Sequence, residues 1–288
     1  MFRLLRANFA RLWKTKSFWV CVIIAVFDSF TRFVFNCVED GSCTKRLGDL
    51  LTGGGTDIML VAAVFTALYL GTDYSNGTIR NKLIIGRKRA EVYFANLITV
   101  MAGTFIITAV DRAVTLFCGL ARGGALGQEE GDFAFRQLVV VCALTAFCAV
   151  NTLIGMLVSS KASVVTATLC ALFASMFISA PLLAFLGMPE YFDSSMVGTA
   201  AQTEGAVRFE ITTSPEFAAE GEKNPLYVDG ARRVMFSVVN DMLPAGAVSR
   251  LENGAAAEEC RALPLYSLGL TAAATAVGAL IFRKKDIK

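Results

Sequence analysis

Apolar residues dominate five stretches of this chain, 18–36, 92–120, 137–158, 164–187 and 264–282. Each is near or above the length of about 20 residues that a helix needs to cross the hydrocarbon core of a membrane. A sixth stretch, 58–71, is shorter: its fourteen residues rise only about 21 Å as a helix, which suits a re-entrant or buried segment as well as a span. Ahead of the first stretch, Phe2, Leu5, Phe9, Leu12 and Trp13 recur at three- to four-residue spacing, with Arg3, Arg6, Arg11 and Lys14 on the other face. That pattern predicts an amphipathic helix over 2–16 lying in the headgroup layer against anionic lipid. The alternative is a charged flank that does no more than orient the first span.

Between the fifth and sixth stretches, residues 188–263 form the one sizeable polar segment. Within it Val234, Met235, Val238, Val239 and Met242 make an apolar stripe that stops at Pro244. The stripe fits either a helix lying laterally on the membrane or the core of a small external subdomain. Pro181 should kink the fifth span, Pro264 suits the first turn of the sixth, and Ala272, Ala276 and Gly278 offer small residues for close helix packing.

Composition sharpens this picture. The 288 residues are 55% hydrophobic and only 18% charged, against about 25% charged in soluble domains; a soluble globular or a disordered chain is excluded. There is no histidine, which removes Ser-His-Asp and Cys-His catalysis, HExxH zinc hydrolysis and His-ligated haem. Neither GxxxxGK[ST] nor GxGxxG occurs, nor a GxGD motif of an intramembrane aspartyl enzyme. The chain is therefore expected to carry no catalytic residue, metal or cofactor of its own.

Charge settles the topology expected for 58–71. Basic clusters mark cytoplasmic loops, and they fall at Arg3–Lys16, at Arg80–Arg89 and at Arg283–Lys288. All three share one side only if 58–71 crosses. Six spans with both termini cytoplasmic then follow, with 15 Lys and Arg against three acids inside and ten against 19 outside. The small net charge of +3 thus hides a strong separation by side, and nucleic acid is not implied. The basic start and apolar run do not suit a signal peptide, since no small-residue cleavage site follows and Asp28 and Arg32 interrupt the run. Of the eight cysteines, Cys37, Cys43 and Cys260 are expected to face outward, where one disulfide among them is open; the other five read as small apolar residues of the spans.

Four charges remain inside the spans. Asp28 and Arg32 stand four apart, acid first, and can pair on one helix face, Asp28 about 15 Å along the span. Asp111 and Arg112 lie near the outer end of the third span, where adjacent residues do not face each other. Arg32 is expected to meet Asp111 across the spans, as either part of a substrate gate or a structural ion pair. Asn151, in the fourth span, reads as an interhelical hydrogen-bonding residue.

The most specific stretch is the loop from Asp73 to Arg89. Gly77 permits a tight turn, Ile79 and Leu83 lie one helical turn apart with Arg80 and Lys82, on either side of Asn81, pointing elsewhere, and Gly86 ends the short helix before Arg87 and Arg89. A short helix with an apolar edge and basic flanks is shaped to press into a groove on a cytosolic partner; a plain basic loop would explain the charges but neither the Gly77-Thr78 start nor the apolar pair. This loop resembles that of the type-two permeases of ABC transporters, a class that includes many bacterial drug and peptide exporters: Asp73, Gly77, Thr78, Arg80, Leu83, Gly86 and Arg89 stand in the order of its first cytoplasmic loop. The ending Ile281-Phe282-Arg283-Lys284-Lys285-Asp286-Ile287 and the run Leu243-Pro244-Ala245-Gly246 are also similar to that family, and Asp73 departs from it where Glu is more usual.

The resemblance implies an all-α, six-span permease organised as an interfacial helix (1–17), spans one to five with a coupling loop at 73–91, an external loop (188–263), and a last span with a basic tail (264–288). It implies pairing with a second permease subunit, identical or related, and docking of a separate cytosolic ATPase on the loop, with ATP bound by that partner. A peptide, drug, lipid or ion would be the cargo. Two other readings remain open: an ion-coupled secondary transporter using Asp28 and Asp111, and a membrane sensor binding ligand at its acidic outer loop.

Overall fold

A computed structural model of the chain describes residues 1–37, 47–121, 130–158, 160–191, 223–255 and 259–285. The described residues form helices and no sheet; one isolated bridge joins Tyr191 and Lys223. Six helical segments are long and apolar enough to cross a membrane: Lys16–Asn36, Leu47–Ser75, Arg89–Ala121, Asp132–Leu157, Lys161–Leu186 and Leu263–Lys284.

The chain opens with α1 (Phe2–Lys14), which stops at the extended Thr15 before α2 (Lys16–Cys37). A short α3 (Leu47–Thr52) leads into α4 (Gly55–Ser75). The apolar run 58–71 is thus the middle of a longer helix: α4 has 21 residues, about 31 Å. Periodicity underestimates it because Thr56, Asp73 and Tyr74 extend the helix on polar side chains that find partners inside the protein, while Asp57 extends it on an exposed one. Then come α5 (Thr78–Ile84), α6 (Arg89–Ala121), α7 (Glu130–Leu157) and α8 (Lys161–Leu186). The shorter helices α9 (Gly230–Met242) and α10 (Pro244–Glu252) precede α11 (Leu263–Lys284).

The helix α4 is the spine. It touches α2, α6, α7 and α8, and Ile58, Met59, Ala63, Phe65 and Leu70 are fully buried along it. Gly103 on α6 and Gly155 on α7 let Phe65 and Leu70 press against bare backbone. The core lies among α4, α6 and α7, whereas α2, α8 and α11 stand at the rim with Phe27, Phe177 and Leu265 exposed.

Contacts assign the ends of the bundle. Lys161 lies against Gly71, Lys285 donates to Met156 O (3.2 Å) and Leu157 O (2.9 Å), and Arg89 donates to Arg283 O at 3.5 Å. The helix α1, the α4–α5–α6 turns, the start of α8 and the end of α11 therefore gather at one end. Lys285 caps the C-terminus of α7, where a cation meets the negative end of the helix dipole; burial lowers its pKa. At the opposite end α3, α9 and α10 close the bundle.

There the apolar stripe of α9 faces out: Val234, Met235, Val239 and Met242 are exposed, while Asn240 and Asp241 are buried. The stripe is thus not buried in a core made by the described residues. The helix α10 plugs the bundle, burying Pro244, Ala245, Ala247, Val248 and Leu251 against α7 and α8. Glu252 accepts from Thr56 N (3.0 Å) and Thr56 Oγ1 (2.8 Å), so a carboxylate sits at the N-terminus of α4. Arg136 of α7 donates to Ala255 O at 3.0 Å, beyond the far end of α10. Ser179 of α8 donates to Asn240 Oδ1 at 2.6 Å.

Cys260 does not face outward; it is fully buried and free, because the turn before α11 folds its side chain into the core, where burial pushes the thiol pKa up. Cys43, the side chain of Cys37, the external segment 192–222 and the tail residues Asp286 and Ile287 lie outside the described residues.

A Cβ on Gly246 would overlap the main-chain carbonyl of Asn240. Gly246→Ala is expected to push α10 from its seat and to cost about 1–3 kcal/mol, the usual range for overpacking. Thermal unfolding in detergent reads this directly, and a wild-type midpoint would contradict the packing described.

Candidate functional site

Two clusters of polar side chains concentrate the chemistry of the chain, one at each end of α4. The first surrounds α5. Gly77 (φ 64°) and Gly86 (φ 85°) adopt left-handed backbone that non-glycine residues rarely take, and so fold the loop into a compact helix between two turns. Between them Ile79 is buried in the core and Leu83 packs against it. Lys82 also turns inward, its Nζ donating to Asn8 Oδ1 at 2.9 Å and lying 3.6 Å from Asp73 Oδ2. Asp73, only 2% exposed, also accepts from Arg11. Arg11 stacks over the Tyr69 ring at 4.4 Å, and Asn8 Nδ2 donates to Asn96 Oδ1 at 2.9 Å. A carboxylate removed from water is tolerable only when it is paired and hydrogen-bonded. Here two cations, one from α1 and one from α5, meet it.

This arrangement corrects the expected contact edge. Ile79 and Leu83 are occupied by the protein's own core, since residues 79, 82 and 83 share one helix face. The opposite face carries Arg80 and Asn81 with Ile84 (71% exposed), followed by Ile85 (78%), Gly86 and Lys88, all open. Thr78, Arg87 and Arg89 are half-buried, and Arg89 is held by the carbonyls of Arg283 and Lys285.

The helix α1 differs from its expected orientation in the same way. Leu4, Asn8 and Leu12 face the bundle, Phe2 and Trp13 are exposed, and Arg11 leaves the lipid-facing set for Asp73. Asn8, Arg11, Lys82 and Asn96 were not legible as site residues. The available signal was a polar Asn8 in register with Leu4 and Leu12 on an otherwise apolar stripe.

The second cluster joins α2, α6 and the α3–α4 turn. Arg32 donates to Asp28 Oδ2 (3.0 Å), Asp111 Oδ1 (2.6 Å) and Gly53 O (2.7 Å). Arg112 donates to the same Gly53 oxygen at 2.7 Å, and Ser29 donates to Asp111. The expected Arg32–Asp111 contact across spans is present. Arg112, however, lies 3.6 Å from its neighbour Asp111, because its side chain curls toward Gly53 just after α3, where helix carbonyls lack partners. Gly54 (φ 70°) follows, and a Cβ there would overlap the Arg32 guanidinium. Ser29, Gly53 and Gly54 are thus further members. The cluster balances two acids with two bases.

Asn151 is fully buried on α7, and its amide has no hydrogen-bond partner among the described residues. No group of three or more Cys, Asp or Glu among the described residues could hold a metal ion.

Burial, and secondarily the nearby Arg11 charge, lower the Lys82 pKa to about 7 from 10.5. With α5 released into water, Lys82 holds its proton up to the ordinary value; seated, it gives the proton up earlier. The released state therefore binds more protons between these limits, and seating is favoured as pH rises from about 7 toward 10.5. Hydrogen exchange of α5 amides, corrected for intrinsic rate, should slow across this window, and Lys82→Met should flatten the trend; an unchanged slope in the variant would contradict it. In the second cluster, Asp111→Asn should cost about 3 kcal/mol by leaving buried guanidinium charge uncompensated, while Arg32→Met with Asp111→Leu recovers part of the loss. Thermal unfolding of the three proteins measures the coupling, and additive losses would mean the pair does not act as a unit.

No curated protein matches the chain. A family model described as ABC-2 family transporter protein matches residues 4–189. That range runs from α1 to just past the end of α8 and contains both clusters. With this match and six helices long and apolar enough to span a bilayer, the chain belongs to the ABC-2 family of transporter proteins and is a multi-pass permease of the cell membrane.

Proposed function

We propose that this permease is the transmembrane half of an ATP-driven exporter. A separate cytosolic ATPase docks on the open face of α5, and a second permease subunit, identical or related, completes the pathway. In this reading both termini and α5 are cytoplasmic, α9 and α10 are external, and ATP is bound by the partner alone. The four divisions 1–17, 18–187, 188–263 and 264–288 then correspond to interfacial helix, transport spans with coupling loop 73–91, outer segment, and final span with its tail.

The observation that carries the proposal is the two-sidedness of α5. One face is bolted to the bundle by Ile79, Leu83 and the Lys82 contacts to Asn8 and Asp73; the other presents Arg80, Asn81, Ile84 and Ile85 with nothing covering them. Two adjacent exposed isoleucines beside basic residues form a small apolar contact with a charged rim, the anatomy of a protein interface. Force on that face reaches α4, α6 and α1 through buried contacts. ATP binding and hydrolysis in the partner would shift the access equilibrium only by differential affinity for its two states, and α5 is where that difference enters.

Pairing with a second permease subunit is supported by the rim helices. The helix α8 has only 11% of its apolar window buried, against 67% for the segment containing α4, and exposes Phe173, Phe177 and Ile178. A pathway walled by such faces favours an amphipathic cargo, a peptide, drug or lipid, over a small ion. An ion-coupled carrier is less well supported, because Asp28 and Asp111 are both engaged by Arg32. A sensor binding ligand at the acidic outer loop would use residues 192–222, which lie outside the described residues.

The test is association with the ATPase. The chain purified from its native membrane should carry a cytosolic ATPase with it. Ile84→Asp combined with Ile85→Asp should abolish copurification while thermal stability stays near wild type, since both residues are exposed. Retention of the ATPase by the double variant would remove α5 from its proposed role.

A further inference from the structure

A cavity of about 1060 Å³ opens at the end of the bundle opposite α5, between α8, α9, α10 and the start of α11. Its two walls differ in chemistry. The α8 side is apolar, with Met176, Ala180, Leu183 and Leu186. The α9–α10 side carries Arg233, Asp241 and Arg250, with Glu259 beyond α10.

Three of these four charges are mutually engaged. Arg250 Nη1 donates to both Asp241 oxygens, at 2.9 and 2.7 Å, and its Nη2 lies 3.7 Å from Glu259 Oε2. Arg250 keeps its proton more firmly than usual: burial opposes the charge, but the Asp241 carboxylate outweighs it. Arg233 is different. Its Nη2 donates to Leu186 O at 2.9 Å, at the end of α8, and its guanidinium lies 5.2 Å over the Tyr227 ring. Its Nη1 is buried with no hydrogen-bond partner, and no carboxylate lies within ion-pairing distance among the described residues. An unsatisfied buried donor costs about 1–3 kcal/mol, and more on a charged group. Arg233 also lines the cavity, so a turn of its guanidinium about the side-chain axis brings Nη1 to an acceptor held there.

We infer that this cavity binds a phospholipid, with the phosphate on Arg233 and an acyl chain along the apolar wall of α8. Guanidinium matches phosphate in charge and fork geometry. A free phosphate would fill only a small part of the volume and leave the α8 wall bare. The same stretch of α8 exposes Phe177 and Ile178, so apolar surface for a lipid tail adjoins the cavity wall. The outward stripe of α9, Val234, Met235, Val239 and Met242, lies on the same element as Arg233. A helix with such a stripe rests in the membrane interface, which sets Arg233 at headgroup depth. Occupancy needs neither ATPase nor transport, so this site stands or falls independently of the exporter reading.

The test uses the full chain purified in detergent without any ATPase, titrated with phosphatidylglycerol and followed by native mass spectrometry. Wild type should retain one phospholipid per chain. Arg233→Gln should weaken retention about tenfold or more, the loss expected for one charge-assisted contact. Ala184→Trp, which fills the cavity from α8 without removing a charge, should also lower retention. Circular dichroism and size-exclusion profiles confirm folding, and if Arg233→Gln fails to fold, Ala184→Trp decides. Equal retention by the folded variants would overturn the inference. So would displacement of the lipid by stoichiometric inorganic phosphate, which would mark a free-anion site, or equal retention of uncharged diacylglycerol.

Discussion

A carboxylate buried at the end of a spanning helix must find cations, and at Asp73 that requirement organises one whole end of the protein. Arg11 comes from the first helix and Lys82 from the loop helix, so satisfying one charge fixes α1, α4 and α5 with respect to each other. Asn8 extends the network to α6 by donating to Asn96 while accepting from Lys82. An isolated Asp here would be expensive; paired as it is, it converts a seven-residue helix, too short to be stable alone, into a rigid fitting. A movable loop could absorb a push. A helix held by buried Ile79 and by the Lys82 contacts to Asn8 and Asp73 passes the push to the spans.

The other end of α4 is held by related physics with different parts. Glu252 reaches the Thr56 backbone N–H in the first turn of α4 from α10, and Arg32 and Arg112 share the Gly53 carbonyl just after α3. In each case a full charge meets unsatisfied helix-terminal groups. Helix ends inside a membrane protein have little water to turn to, so neighbouring side chains satisfy them, and those contacts set the order in which helices pack. The glycines follow from this: Gly54 is bare because the Arg32 guanidinium lies against it, and Gly246 because the Asn240 carbonyl does.

Much of the architecture was legible along the chain. Five spans announce themselves by unbroken apolar length, and the clustering of basic residues required 58–71 to cross as well. The compact turn at Gly77 and the end of the loop helix at Gly86 could be read because positive φ demands glycine. The cross-span contact of Arg32 with Asp111 was legible as well, since isolated charges at membrane depth must pair. What the pattern missed were partners contributed from far along the sequence: Gly53 for Arg32 and Arg112, Asn8 and Lys82 around Asp73. A backbone carbonyl or an amide has no periodic signature. Nor did the one-turn spacing of Ile79 and Leu83 say whether that edge meets another protein or this one.

Amphipathic period and charge asymmetry are properties of a helix considered alone, and they suffice to say how many helices cross and where the short one lies, because a bilayer tests each segment separately for length and polarity. Orientation about each helix axis is a different matter. Which face of α5 is spent on the core, and whether Arg11 joins the lipid or Asp73, depend on what else is within a few ångströms. The cavity at the end opposite α5 is of that second kind too: it exists because α8, α9 and α10 meet there, and among the described residues no acid lies within ion-pairing distance of Arg233, while Arg250 engages both Asp241 and Glu259. Coulombic and hydrogen-bonding partners act over distance in space, and only the assembled bundle determines it.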